Sequence, residues 1–435
     1  MKRTSLMAWL LVMIGATVLA QNPVPAKPQD KPIVIRGGMV HVGNGTVINN
    51  GTITIMNGKI VAVEDNSKPK GADMKNSVGM EVINASGKHV YPGFIGMNTM
   101  LGLSEIEAAR ATNDYNEVGG MNPNVRSVIA YNTDSKVTPT VRSNGVLLAQ
   151  IVPQGGFISG SSSVVELDAW NWEDAAYKTD EGMHLNWPGM FISRTNGGET
   201  EEAQKERIQK SLNSIHDLFN NAKAYSQLKE HQEKNLKMES MRGLFDGSMK
   251  LYVHCNYIKD IISAVNLCKE HGLKMVLVGG IDAWRVTDLL KTEHVPVVLH
   301  RLHALPPRED EDVDLNYKIP YLLQQAGVEY CISVEGFWQV RNLSFNAGTA
   351  VTNGLTKEQA LASITLNAAK ILGIDKTVGT IETGKDATLI ISDGDALDMK
   401  SNNISNAFIR GKNINLDNIQ KQLYKKYMDK YGLKE

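Results

Sequence analysis

Between residues 251 and 334, short apolar runs alternate with segments of helical spacing, and few folds tolerate that rhythm. Leu251-Tyr252-Val253-His254 reads as a strand. Ile258, Ile261, Val265 and Cys268 then fall on one helix face, and Lys274 to Val278 is a strand again, closed by Gly279-Gly280. The pattern continues with a helix over Ala283 to Leu290, a strand over Val295 to Leu299, a helix over Tyr321 to Gln325 and a strand over Val328 to Val334. A strand that returns parallel to its neighbour needs a crossover of about a dozen residues or more, usually helical, so the rhythm predicts a parallel sheet. A chain of 435 residues is long enough to close that sheet on itself. The expected fold is α/β, an eight-stranded (β/α)8 barrel of the TIM type.

The ends of the chain have a different texture. Ile33-Val34-Ile35, Met39-Val40, Thr52 to Ile55 and Ile60 to Val63 are β-branched runs cut by Gly37-Gly38, Gly43-Asn44-Gly45, Asn50-Gly51 and Asn57-Gly58. Asn-Gly pairs accept the positive φ of tight hairpin turns, which predicts a small antiparallel sheet. Ala387 to Ile391 and Asn406 to Arg410 also read as strands, so one composite β-sandwich domain is expected from residues 33–90 and 378–415, around a barrel over 91–377. Ile208, Leu212, Ile215 and Phe219 mark the apolar face of charged, amphipathic helices between 200 and 245. Leu423, Tyr427 and Tyr431 predict a terminal helix over 416–435.

Residues 1–20 carry Lys2 and Arg3, an apolar run from Leu6 to Leu19, and Val18-Leu19-Ala20 before Gln21. That is the pattern of a cleavable secretory signal, with an uncleaved anchor as the alternative. No later apolar stretch approaches the roughly 20 residues of a membrane helix. The mature chain is therefore expected to be exported, periplasmic or secreted, with an irregular Pro-rich leader over 21–32. The 46 basic and 47 acidic side chains nearly cancel, which leaves no electrostatic footprint for nucleic acid or an anionic membrane. Cys255, Cys268 and Cys331 are too few for a disulfide framework and sit among apolar residues, so buried free thiols are expected.

Three passages carry a family likeness. Val82-Ile83-Asn84-Ala85-Ser86-Gly87-Lys88 leads into Tyr91-Pro92-Gly93-Phe94-Ile95; Asn367-Ala368-Ala369-Lys370-Ile371-Leu372-Gly373 follows the last expected strand; Gly379-Thr380-Ile381-Glu382-Thr383-Gly384-Lys385-Asp386-Ala387-Thr388-Leu389 re-enters the β domain. In this order they resemble the amidohydrolase superfamily, and within it the imidazolonepropionase-like group. The likeness is weakest over 170–250. It implies a barrel whose C-terminal strand ends hold one or two divalent metals, which activate water for attack on a carbon-nitrogen bond, or sometimes a carbon-oxygen or phosphorus-oxygen bond.

The metal-binding pattern departs from the family. Its first strand reads Pro-Gly-Phe-Ile-Asp-x-His-x-His, and here Gly96, Asn98 and Met100 stand at the Asp and the two His. An Asn carbonyl is a weak neutral ligand, and a thioether suits soft copper better than zinc. His254 matches the fifth-strand His ligand, a buried or rim histidine bonded to backbone being the alternative. Only glycine stands near Val278-Gly279-Gly280, where the sixth-strand His belongs. Glu335 takes the place of the eighth-strand Asp, ligand and general base. His254, His300 and Glu335, with Asn98 as a fourth partner, are the candidates for a rebuilt site holding one Zn, Mn or Fe ion at most, or none, and Glu335 is the candidate catalytic base. His300 and His303 serve equally as loop hydrogen-bonders. Gly155 to Ser163 is expected as a loop at the barrel mouth, with Arg110, Asp114, Asn116 and Glu117 on the same rim. Two functions follow. One is a hydrolase of non-peptide carbon-nitrogen bonds in a small molecule; the other is a non-catalytic relative acting as a binding module or as the partner subunit of an intact paralogue, in a homo- or hetero-oligomer.

Overall fold

The computed structural model describes residues 24–67, 79–193, 199–228 and 233–433. The segment read as a secretory signal lies outside them, and residues 24–32 form neither helix nor strand. The composite domain takes strands β1 (Ile33–His41), β2 (Val47–Met56), β3 (Lys59–Asp65), β4 (Glu81–Asn84) and β5 (His89–Pro92) from one chain end. The barrel follows with β6 (Phe94–Thr99), β7 (Val146–Ile151), β8 (Ile158–Glu166), β9 (Ala176–Asn186), β10 (Lys250–Cys255), β11 (Met275–Gly279), β12 (Val297–Leu299) and β13 (Tyr330–Ile332). The chain then returns to the first sheet with β14 (Leu389–Ser392), β15 (Ile404–Ile409) and β16 (Lys412–Asn413).

In the composite sheet the order is β16-β15-β14-β5-β1-β2-β3, with β4 also paired to β1. Asn57 and Gly58 turn β2 into β3 with φ of 52° and 77°, the positive values that an Asn-Gly hairpin supplies. Asn50-Gly51 makes no turn. Gly51 lies inside β2 opposite Gly38, because a Cβ there would come within 2.5 Å of a Val40 methyl. The sheet is mixed rather than purely antiparallel, since β4 and β5 both run parallel to β1.

The barrel strands follow one another in sequence order from β6 to β13. All neighbours are parallel except β8, which runs antiparallel to both β7 and β9. Here the expectation of a loop over Gly155–Ser163 fails. Ile158 onward is strand, buried along its whole length, and it pairs with both β7 and β9. No helix separates β7 from β8. Glycine and serine permit this: a Cβ on Gly160 would meet the Val125 carbonyl at 2.5 Å, and Ser161, Ser162 and Ser163 are small enough to be buried between strands. Between β6 and β13 the seam is crossed by Met100 N to Gly336 O, 2.9 Å, so the barrel is nearly closed.

Helices wrap the parallel part. The Glu201–Gln227 helix starts at Thr200, whose hydroxyl accepts from Ala203 N, and buries Ile208, Ile215, Phe219 and Ala222. The Ile258–His271 helix buries Ile261, Val265 and Cys268 and stops at Gly272 with φ 73°. The last helix, Ile419–Tyr431, buries none of its residues. Cys255, Cys268 and Cys331 are buried free thiols. Among the described residues no helix is long and apolar enough to cross a membrane.

Polar groups tie the two units together. Arg410, in the β15–β16 turn, sets its guanidinium 2.7 Å from the buried Glu166 carboxylate of β8 and over the Tyr177 ring. Deeper in the barrel wall, Arg142 is paired with Asp168, both buried, and Asp168 also accepts from Ala26 N at 2.8 Å. Removing one member of such a pair strands a charge away from water. Arg142→Met is expected to cost about 3 kcal/mol, seen as a lower urea midpoint with an unchanged m-value; an unchanged midpoint would show the pair to be energetically neutral.

Candidate active site

The interior of the barrel is polar along β7, β8, β9 and β10. Glu181 on β9 is 3% exposed. Its Oε1 accepts from Gln150 Nε2 and from Ser162 Oγ, both at 2.6 Å, and its Oε2 accepts from Tyr252 OH at 2.9 Å. Ser162 Oγ also contacts His184 Nε2 at 2.8 Å, and His184 Nδ1 meets His254 Nε2 at 2.8 Å. Strand periodicity explains the last step, because Tyr252 and His254, two apart on β10, face the same side.

The chain of bonds constrains the protons. Ser162 has one proton, and when it goes to Glu181, His184 Nε2–H donates to Ser162. His184 Nδ1 is then the acceptor for His254 Nε2–H, and the remaining lone pair of His254 is on Nδ1. Burial pushes the Glu181 carboxyl up in spite of its three donors. Burial also pushes His184 well below the ordinary imidazole value, and His254 down to about 3 with His300 adding to the effect. Both rings are neutral at neutral pH.

At the C-terminal strand ends, His300 and Glu335 face one another across the β12 and β13 ends. His300 Nδ1 lies 3.4 Å from Glu335 Oε2, and the Arg301 backbone N–H donates to the same oxygen at 3.1 Å. Burial works to raise the Glu335 carboxyl, but His300 and the Arg301 amide outweigh it and hold it down to about 2. A cavity of about 200 Å³ opens here, lined by Gly279, Leu299, His300, Arg301, Asn316 and Glu335 among others. His303 bonds Thr349 Oγ1 at 2.7 Å, the role of a loop hydrogen-bonder. On the rim, Asn116 bridges to Gln154, and Arg110 donates to the Asn113 carbonyl.

Whether this mouth fits a metal is decided by its donors. Asn98 is buried with φ 52°. Its backbone N–H donates to Gln150 Oε1 at 3.0 Å, while its Oδ1 makes no hydrogen bond. At Gly96 a Cβ would come within 3.1 Å of a Val340 methyl, so a carboxylate there would need Val340 to move. His254 has its Nε2 engaged by His184. Among the described residues, the His/Cys/Asp/Glu group whose ligand atoms all lie within 4.8 Å of one another is His216, Glu270 and His271. His254, His300 and Glu335 do not form such a group, and in this arrangement the mouth does not fit an ion held by three of its side chains.

The sequence reading missed Gln150, Glu181 and His184. The Met183-His184-Leu185 run carries one polar residue between two apolar ones, the only local signal of an inward-facing histidine; nothing local marks Glu181.

Comparison with known proteins places this geometry. The amidohydrolase family matches residues 157–414, more than half of the chain. An imidazolonepropionase of Thermoplasma volcanium is 25% identical over 370 residues, covering 80% of this chain and 85% of that protein. Amidohydrolase tasK of Hapsidospora irregularis is 32% identical over 118 residues, which are 24% of this chain and only 12% of that much longer protein. In structure, an amidohydrolase from Thermotoga maritima MSB8 superposes with a TM-score of 0.74 at 23% identity, over 88% of this chain and 99% of that one.

The neutral histidine pair has a pH signature. Unfolded imidazoles titrate near about 6.5, whereas the folded chain keeps His254 neutral down to about 3. As pH falls below about 6.5, protons bind the unfolded state first and stability drops. His254→Gln is expected to make the fall of stability between about pH 6.5 and pH 4 shallower by one proton's worth, measured by urea unfolding at each pH. An unchanged slope would show that His254 titrates normally in the folded chain.

Proposed function

The chain belongs to the amidohydrolase family of hydrolases, and from that premise we propose that it hydrolyses a non-peptide carbon-nitrogen bond in a small polar molecule bound at the barrel mouth. The observation that carries this reading is the cavity of about 200 Å³ with the His300 and Glu335 pair at its wall. That volume suits a ligand below ordinary drug size. Arg301, half exposed beside Glu335, offers a fork-shaped cation for a substrate carboxylate. The likeness to an imidazolonepropionase over most of both chains supports a small nitrogen heterocycle bearing a carboxylate as the substrate class.

In this reading Glu335 orients the attacking water and accepts its proton. Held near 2, the carboxylate is ionised at every working pH but is a weak base, so its contribution lies in placing water more than in basicity. His300, next to it, is placed to pass a proton to the leaving nitrogen. Members of this family typically use a divalent ion, Zn, Mn or Fe, to make water acidic, and the donors at this mouth form no three-residue set for one. No step is therefore assigned to an ion here. Lys2, Arg3 and the apolar run before Gln21 support export to the periplasm or beyond.

A second reading is favoured by a specific observation. Gly96, Asn98 and Met100 replace the family's first-strand ligands together, as in a barrel kept for binding or for pairing with an intact paralogue. One experiment separates the two. The mature protein, purified without chelator, is analysed for bound metal and assayed on a panel of small cyclic amides with Zn²⁺, Mn²⁺ or Fe²⁺ added in parallel. Hydrolysis is expected, and Glu335→Gln is expected to lower kcat by about 100-fold or more at an unchanged melting temperature. Ligand binding without turnover in every metal state would replace the hydrolytic reading with the non-catalytic one.

A further inference from the structure

We propose that His216, Glu270 and His271 form a transition-metal site, of the zinc class, that clamps the Glu201–Gln227 helix to the Ile258–His271 helix on the outside of the barrel. This site is separate from the barrel mouth and shares no residue with it. One imidazole nitrogen from each histidine and one carboxylate oxygen lie within 4.8 Å of one another. Two histidines and a carboxylate are a donor set that zinc accepts, leaving a fourth position for water.

A second observation points to a ligand. His271 is only 5% exposed, yet its Nε2 makes no hydrogen bond. A buried imidazole nitrogen left without a partner costs free energy that a metal bond would recover. The existing contacts do not satisfy the cluster: His216 Nδ1 stands 3.7 Å from Glu270 Oε2, beyond hydrogen-bond length. Donors around one zinc sit about 3.3 Å apart when each bond is about 2.0 Å and the geometry tetrahedral, so the cluster must contract. The side chains of His216 and Glu270 are 40% and 59% exposed and free to rotate inward, while His271 is held by its burial.

The surroundings suit a cation. Glu270 and His271 occupy the last turn of a 14-residue helix that ends at Gly272, the end at which the helix dipole places partial negative charge. The Phe219 ring, 5.8 Å from the His271 ring between centroids, closes one side against water. Lys223, whose ammonium donates to the His271 carbonyl at 3.4 Å, is a charge that works against an ion. With the ion in place, two helices from sequence-distant parts of the chain share a covalent-strength tie.

The test uses the untagged mature chain stripped with chelator and titrated with ZnCl2 by calorimetry, with Co²⁺ absorption reporting tetrahedral coordination. One Zn²⁺ per chain is expected, together with a rise in melting temperature. His216→Ala and Glu270→Gln change exposed side chains and leave the fold intact; each is expected to weaken binding by about tenfold or more and to abolish the thermal shift. His254→Gln and Glu335→Gln are expected to bind as the parent does. Zinc bound equally well by His216→Ala, or lost in the barrel-mouth variants instead, would overturn the assignment, as would a parent chain that takes up no Zn²⁺. None of these outcomes bears on hydrolysis, which is read separately by turnover.

Discussion

Burial of one carboxyl in the barrel interior sets the terms for everything around it. Glu181 cannot stay away from water without donors, and three strands supply them: Gln150 from β7, Ser162 from β8 and Tyr252 from β10. Each donor is itself buried and must be satisfied in turn, which extends the chain through His184 to His254 at the mouth. The antiparallel β8 is what makes this geometry available. Running against its neighbours, it delivers Ser162 between Glu181 and His184.

That internal order bears on the family chemistry. At the mouth His254 spends one nitrogen on His184, and Gly96, Asn98 and Met100 stand along and just past the first barrel strand. These residues fit their surroundings physically. Val340 crowds Gly96, the backbone at Asn98 bends into the left-handed region that asparagine tolerates better than most residues, and Gln150 takes the Asn98 amide. What remains at the rim is an ionised carboxylate held by a histidine and a backbone amide, beside an arginine and a small cavity.

The same chain shows how two units are kept in register. Arg410 reaches from the composite sheet to Glu166 of the barrel, and Tyr177 OH joins Asp386 and Thr377 at 2.7 Å each. These contacts anchor the antiparallel β8 to β9 corner, where the connecting helix is only the short Trp172–Ala175 turn. The His216, Glu270 and His271 cluster lies on the helical part, where packing between helices rather than between sheets holds the wall.

The sequence by itself determined the repeating architecture. Periodicity at residues 251–334, the Asn57-Gly58 turn and the strand at Ala387–Ile391 are local signals, because a strand, a hairpin and a helix face are each written in the side chains of a few consecutive residues. It also named His254 and Glu335 through likeness to a known strand pattern, and His300 as the histidine that follows the strand at Val295 to Leu299; the structure sets His300 against Glu335 at the mouth. Tertiary structure alone decided the rest. Whether Gly155–Ser163 is a loop or a strand depended on neighbours that make room for serines inside the barrel. Glu181 and His184 became a site only because strands whose residues stand 19 to 71 positions away in sequence brought them partners. Asn50-Gly51 became strand instead of turn because Val40 packs where a Cβ would stand. Local pattern fixes which elements form; long-range contacts fix which polar groups find partners, and it is those partners that give a barrel its chemistry.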